Sequence, residues 1–287
     1  MRVVQAILRF GIVLSAGTLA VSGQGRDAAQ VLAAAREALG GDAVLAAVKS
    51  FVATGRTRQI RGNNLVPIEF EINCELPDKF VRKDEFPAQD TDLTVSGFRG
   101  DALIQFPGPG AGRGGPQGAP SRGNGPNADE QRLNTIRQEF VRLTLGAFAT
   151  SFPTYPLTFK YAAEAEAPDG KADVLDVSGP ANFTARLLVQ RETHLPVMLI
   201  WQMSPPPGPP RGAPPAGPGA SAAPVAPPAT AAPMEVRLYY ADYRAVNGIK
   251  WPFRIRRAVG GTTTEETTFD RVNVNVRIDP RKFEAPK

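Results

Sequence analysis

The stretch that decides the fold is Val66-Pro67-Ile68-Glu69-Phe70-Glu71-Ile72-Asn73-Cys74-Glu75-Leu76. Val66, Ile68, Phe70, Ile72, Cys74 and Leu76 alternate with Pro67, Glu69, Glu71, Asn73 and Glu75, so every charge falls on one side of a period-two pattern. Successive side chains of a strand point to opposite faces, and this segment therefore predicts a β-strand with one dry face and one wet face. Shorter runs of the same kind cover 51–60, 79–86, 92–98, 101–106, 157–166, 172–179, 183–190, 195–203, 234–244, 251–258 and 263–276. Pro77-Asp78, Arg99-Gly100, Asp169-Gly170, Asn247-Gly248 and Gly260-Gly261 supply turns between many of them. Sequential strands joined by tight turns make an antiparallel meander, because parallel pairs need long crossovers.

Helical signals occur in three places. Asp27 with Gln30 reads as a capping box, followed by Ala28, Val31, Leu32, Ala35 and Leu39 on one face and a stop at Gly40-Gly41. A short helix from Asp42 carries Val44, Ala47 and Val48. Asn127 with Glu130 predicts a second capping box, and Leu133, Ile136, Phe140, Leu143 and Ala147, widened by Val141 and Phe148, form the apolar stripe of a longer helix.

The ends and totals narrow the setting. Arg2, the apolar run from Ala6 to Ala20 interrupted by Arg9, and Ala20-Val21-Ser22-Gly23 have the design of a secretory leader, so residues 1–23 are expected to be removed. The run is shorter than the ~20 residues a spanning helix needs. The mature part, 24–287, is expected to be a single extracytoplasmic, periplasmic domain without a membrane span. Cys74 is the only cysteine, so no internal disulfide is available and a packed core has to carry the stability. Residues 107–127 are rich in Pro and Gly, and 204–233 in Pro, Ala and Gly. Both predict disordered insertions within one domain, since strands 195–203 and 234–244 still need each other. The net charge of +5 disappears once Arg2 and Arg9 of the leader and Arg113, Arg122 and Arg211 of the insertions are set aside. A neutral packed part argues against nucleic acid as a partner. Arg254, Arg256 and Arg257 are expected on a solvated strand face.

About eleven strands at ~4.8 Å spacing span roughly 50 Å, and a sheet that wide curls under its own twist. Helices ~10 Å wide cannot cover it flat. The expected fold is mainly β (α+β): the sheet either closes or forms a curved antiparallel half-barrel with amphipathic helices as a lid. Its inner face is either filled by side chains or encloses an apolar cavity. Ile68, Phe70, Ile72, Phe159, Trp201 and Phe253 are the residues expected to line it.

Several segments resemble LolA/LolB-like lipoprotein carriers and their outer-membrane lipoprotein-sorting relatives. They are the helix pair before a strand, the step Leu76-Pro77-Asp78-Lys79-Phe80, the turn at Gly97 to Gly100 before Leu103-Ile104-Gln105-Phe106, and the ending. That ending runs from Tyr243-Arg244-Ala245-Val246-Asn247-Gly248-Ile249-Lys250-Trp251-Pro252-Phe253 to Asn275-Val276-Arg277-Ile278-Asp279-Pro280-Arg281-Lys282-Phe283-Glu284-Ala285-Pro286. The resemblance implies a helix-closed half-barrel whose concavity holds lipoprotein acyl chains. It departs at Leu76, where the carriers have an arginine that matters for release, so release chemistry is not carried across.

No catalytic pattern emerges. His194, the only histidine, lies in a polar break and reads as a turn residue, and Cys74 reads as wall lining on the dry face. Glu265 and Glu266 are neighbours on a strand and point to opposite faces, with a solvated outer face expected for this threonine-rich segment. Neither a phosphate-binding Gly loop nor a Gly-x-Ser-x-Gly elbow is present. The expected function is non-catalytic, cofactor-free binding or transport of an acyl chain, lipid or other apolar small molecule. The alternative is an envelope scaffold that reaches a protein partner through its Pro-rich insertions.

Overall fold

The computed structural model describes residues 27–87, 93–107, 127–167, 170–203 and 232–285. The expected leader at 1–23 and nearly all of the two Pro-rich insertions lie outside them. Three helices, α1 (Ala28–Leu39), α2 (Asp42–Ala47) and α3 (Ala128–Phe148), accompany one sheet. Its first five strands are β1 (Ser50–Arg61), β2 (Asn64–Glu75), β3 (Lys79–Glu85), β4 (Leu93–Arg99) and β5 (Ala102–Phe106). After α3 come β6 (Thr158–Ala167), β7 (Gly170–Gly179), β8 (Phe183–Gln190) and β9 (Pro196–Met203). The last three are β10 (Met234–Val246), β11 (Ile249–Val259) and β12 (Thr262–Val274).

The twelve strands form one antiparallel, unclosed, curved sheet in the order β5-β4-β3-β2-β1-β12-β11-β10-β9-β8-β7-β6. This is the half-barrel, its twelve strands matching the stretch around Phe70 and the eleven shorter runs, one more than the round figure of eleven used for the width of the sheet. Two meanders, β1–β5 and β6–β12, meet where the first strand pairs with the last, Phe51 opposite Val274 and Gln59 opposite Glu265. Met203 stands opposite Met234, so β9 and β10 pair on either side of residues 204–233. At the β10–β11 turn Asn247 and Gly248 both have positive φ, 47° and 89°, as a tight two-residue hairpin requires.

α1 follows its sequence signals closely. The Asp27 carboxylate accepts from the Ala29 N–H at 3.3 Å, and Ala28, Val31, Leu32, Ala35 and Leu39 are buried. Gly40 ends the helix at φ 138°, where a Cβ would stand 2.4 Å from the Gly248 carbonyl oxygen. The chain thus needs glycine there twice over, for conformation and for close approach. Two expectations fail nearby. Of the expected stripe of α2, Val48 is buried at the helix end, but Val44 is 38% exposed and Ala47 faces solvent, and within the helix Leu45 is buried instead, because six residues give too short a stripe to cover more. At α3, the Asn127 side chain makes no capping hydrogen bond, so that capping box does not form.

α3 lies across the concave face. It packs on β4 and β5 at one side and on β9 and β11 at the other. Arg137 donates to the Gly100 carbonyl at 2.8 Å and Gln138 to the Ala181 carbonyl at 3.2 Å, tying the helix to a turn on each arm of the half-barrel. Its two halves differ. From Phe140 to Phe148 every residue is buried, whereas Leu133 is the only buried residue before Phe140. The buried half sits on aromatic packing: Phe51 against Trp251 at 5.0 Å, Phe148 against Trp251 at 5.9 Å, and Phe140 against Phe80 and Phe98 at 5.4 and 5.5 Å. Much of the concavity is therefore core. The convex face also has an apolar patch, where Ile278 and Phe283 of the C-terminal segment cover Val81, Val95 and Ile104.

Gly146 shows how close the buried half of α3 comes to the sheet. A Cβ there would meet the Tyr240 ring at 2.4 Å. Tyr240 is pinned by donating from its hydroxyl to the Arg142 carbonyl, and Tyr243 donates to the Gly146 carbonyl at 2.8 Å. Alanine gains about 1 kcal/mol over glycine in a helix interior, but overpacking a fixed ring costs about 1–3 kcal/mol. Gly146→Ala is expected to lower stability by about 1 kcal/mol, read as a drop in the urea midpoint at unchanged slope.

Candidate functional site

Beneath the exposed half of α3 the packing stops short and leaves a cavity of about 360 Å³. Its floor consists of parallel rows of inward side chains that the strand register places side by side. One row runs Gln59, Glu265, Arg257, Leu238 across β1, β12, β11 and β10. The next runs Thr57, Thr267, Ile255. On the other arm, Ile72, Arg82 and Ser96 stand in line across β2, β3 and β4. Ile136, Glu139, Arg142 and Leu143 descend from the helix as a roof.

The apolar part of the wall is Ile72, Phe80, Leu143, Leu238, Ile255 and Phe269. The polar part is organised around two guanidiniums, that of Arg142 buried and that of Arg257 half-buried. Glu139 bridges them, accepting from Arg142 Nη1 at 3.0 Å and from Arg257 Nη2 at 2.7 Å. Trp201 lies against both, its ring centre 4.3 Å from the Arg142 guanidinium and 5.7 Å from that of Arg257. The Arg142 side chain is only 8% exposed. Burial is the main force lowering its pKa from the usual arginine value, opposed by the Glu139 carboxylate and reinforced by Arg257. At Arg257 burial pulls down most strongly, but Glu139 and Glu265 together outweigh it and the pKa rises. Both remain cations. The Nε atoms of Arg142 and Arg257 are buried without a hydrogen-bond partner. A separate network fixes the other arm: Arg82 donates to Asp84 at 2.8 Å and to the Thr57 hydroxyl at 3.1 Å, and Thr57 meets the Thr267 hydroxyl at 2.9 Å.

Of the six residues expected to line a concavity, Ile72 faces this cavity directly. Ile68 and Phe70 are buried on the same strand, Phe70 packing edge-on against Phe269 at 5.4 Å. Trp201 backs the two guanidiniums. Phe253 is buried beneath Arg244, 4.7 Å away, and Phe159 is half-buried on edge strand β6, so these two lie apart from the cavity. The structure also corrects two placements. Arg257 is not on a solvated face with Arg254 and Arg256 but points inward, in step with Trp251, Phe253 and Ile255. Glu265 likewise lines the cavity, while Glu266 is exposed. Strand alternation carries both signals: continued two residues past Ile255 it reaches Arg257, and two residues before Thr267 it reaches Glu265.

Cys74 is fully buried in the core and burial drives its thiol pKa well up. His194 occupies the turn between β8 and β9 with φ 56°, its N–H donating to the Gln190 carbonyl at 2.9 Å. Among the described residues no group of three or more His, Cys, Asp and Glu side chains is gathered as metal ligands would be. Nor is any helix among them long and apolar enough to cross a membrane.

No protein-family model matches the chain, and no curated protein matches it. Solved structures do. A LolA superfamily protein from Nitrosomonas europaea superposes with a TM-score of 0.52 at 12% identity, over 90% of this chain and 98% of the other. A domain assigned to outer membrane lipoprotein sorting, from Vibrio parahaemolyticus, gives 0.47 at 9% identity over 89% and 97% of the two chains. A DUF1329 family protein from Desulfovibrio piger gives 0.45 at 8% identity over 90% and 97%. At such identities the likeness speaks of fold, and the fold is LolA-like.

Removing the charge of Glu139 leaves Arg142 and Arg257 facing each other around Trp201. Breaking a fully buried pair costs about 3–5 kcal/mol, and an exposed pair less than about 1 kcal/mol. With Glu139 partly exposed, Glu139→Gln is expected to destabilise by about 1–2 kcal/mol, with part of the loss recovered in high salt. Denaturant titration at two ionic strengths measures both.

Proposed function

We propose that this protein is a non-catalytic extracytoplasmic carrier that holds one acyl chain between α3 and the concave face of the sheet. The observation that supports it most is the cavity under the exposed half of α3, walled by Ile72, Phe80, Leu238, Ile255 and Phe269. At about 360 Å³ it falls near the low end of ligand pockets, which run from about 300 to 1,000 Å³. A single chain suits that volume better than the several chains of a lipoprotein anchor. The aromatic packing around Phe51, Phe148 and Trp251 takes up the rest of the concavity.

Carriage in the cell envelope requires export, and the leader-like residues 1–23 are our candidate for the signal. Expression of the full chain in a Gram-negative host is expected to place it in the periplasmic fraction, beginning after Ser22 or Gly23 by N-terminal sequencing. Retention of residues 1–23 on cytoplasmic protein would remove the extracytoplasmic part of the proposal.

Carriage itself is tested by blocking the cavity from the lid. Ile136 is half-buried on α3 and faces the cavity, so a larger side chain there enters the void without disturbing the sheet core. Wild-type protein is expected to bind a fluorescent fatty acid, and Ile136→Trp to weaken it at least about tenfold, with thermal stability nearly unchanged. Equal affinity of the two proteins would place any bound chain elsewhere.

A further inference from the structure

We propose that the ligand is a single-chain amphiphile with a zwitterionic phosphate–amine headgroup, its phosphate held by Arg142 and Arg257 and its amine by Glu265. This rests on the carrier reading and specifies what is carried. Three observations lead to it. The first is the pair of unsatisfied donors. Arg142 Nε and Arg257 Nε are buried, lack a hydrogen-bond partner and belong to side chains that line the cavity. Glu139 already occupies one outer nitrogen of each and Gln138 the other outer nitrogen of Arg142 at 3.1 Å, so an incoming acceptor with several oxygens would satisfy the Arg142 Nε and what remains of Arg257. A phosphate provides them, and guanidinium forks suit phosphate geometry.

The second observation is the counterpart of opposite sign. Glu265 lines the same cavity directly across the strand pair from Arg257, and among the described residues no hydrogen bond reaches its carboxylate. A cation beside it would be matched in charge. The third is the balance of the whole lining. Arg82, Arg142 and Arg257 stand against Asp84, Glu139 and Glu265, so the cavity is neutral before the ligand arrives. A purely anionic headgroup would leave one uncompensated negative charge in a partly buried space, whereas a zwitterion preserves the balance.

The order of groups along the strands fits such a molecule. Inward positions of β12 run Phe269, Thr267, Glu265 toward the β11–β12 turn, and those of β11 run Ile255 then Arg257. At about 6.8 Å per inward step, the level of Ile255 and Thr267 lies first, and Arg257 and Glu265 share the next, directly opposite each other across the strand pair. The tail lies along the apolar level, and the two headgroup charges sit side by side at the next, the phosphate toward Arg257 and the amine toward Glu265.

The test uses the intact mature protein and four probes: myristoyl lysophosphatidylethanolamine, myristoyl lysophosphatidylglycerol, myristate and tail-free phosphoethanolamine, all below their critical micelle concentrations. Binding is read by calorimetry and by tryptophan emission, since Trp201 lies against both guanidiniums. The ethanolamine amphiphile is expected to bind about tenfold tighter than its phosphoglycerol analogue, the worth of one charge-assisted contact. Glu265→Gln is expected to erase that preference while keeping affinity for the phosphoglycerol probe, and Arg257→Gln to weaken both phosphates. Glu265 accepts no hydrogen bond from a described residue, so its variant tests the proposal even if Arg257→Gln folds poorly. Equal affinity of the two phosphate amphiphiles, or a preference that survives Glu265→Gln, overturns the headgroup assignment and leaves acyl carriage standing. Phosphoethanolamine binding as tightly as the amphiphile overturns it in favour of a small-molecule site. Failure of all four probes removes the carrier reading together with it.

Discussion

The pairing of β1 with β12 is the constraint on which the rest depends. It is the one seam at which the two meanders of the chain become a single sheet, and it joins residues as far apart in sequence as Phe51 and Val274. Contacts of such separation form late, since loop closure over most of the chain precedes any reward. The seam is reinforced at its end: Lys49 donates its backbone N–H to the Asn275 side chain at 2.7 Å, Asn275 donates its own to the Ser50 carbonyl at 2.8 Å, and the Ser50 hydroxyl donates to the Val276 carbonyl at 2.7 Å. The same register that closes the sheet also lays out the cavity floor. Gln59 beside Glu265 and Thr57 beside Thr267 are cross-strand pairs of this seam. Slipping it by one residue would send those side chains to the convex face and replace them with Arg58 and Glu266.

Glycine at the seam fixes what can pack above it. A Cβ on Gly55 would stand 2.2 Å from the Thr268 carbonyl oxygen and 2.8 Å from the Phe70 ring. Its absence lets Phe70 and Phe269 meet edge to face over the sheet, an arrangement aromatic rings favour. Phe269 then continues to Trp251 at 5.9 Å, and Trp251 to Phe51 and Phe148. The aromatic layer thus grows from the seam toward the buried half of α3 and stops at Arg142. Beyond that point the charged and hydroxylated Arg257, Glu265 and Thr267 are set among Leu238 and Ile255, so tight apolar filling ends and a cavity begins.

Much of this architecture is legible in the sequence because it rests on local periodicity. The alternation around Phe70, the Asn247-Gly248 hairpin and the stripe of α1 are each readable within a dozen residues, and each is where it is expected. Failures arise where local reading meets tertiary choice. Val44 continues an apolar pattern but stays 38% exposed beside the Gly248 turn, and Asn127 has capping chemistry without the capping geometry. The cavity was the least legible feature. Arg257 and Glu265 look like surface residues by type, and only strict alternation from Ile255 and Thr267 turns them inward. Composition and alternation disagree there, and such local conflict is characteristic of positions held for something other than stability. Nothing in one strand, moreover, reveals that Glu139 of α3 bridges Arg142 to Arg257 from the opposite side of the concavity.

The two halves of α3 follow from the same division. Phe140 to Phe148 is buried all round, and Gly146 lets the helix reach the Tyr240 ring, so this half is a structural part of the core. The half before it is held by polar contacts, Arg137 to Gly100 and Asp101, Gln138 to Ala181 and Glu139 to Arg257, each partly or fully open to water. Exposed hydrogen bonds of this kind contribute little net free energy compared with the packing of several aromatic rings. The helix is therefore anchored at its carboxyl end and lightly held over the cavity. Local opening follows the regions with the fewest buried apolar contacts, and here that region is the roof. A ligand could enter by displacing a few solvent-exposed bonds while the aromatic layer, the seam and the register beneath it stay intact.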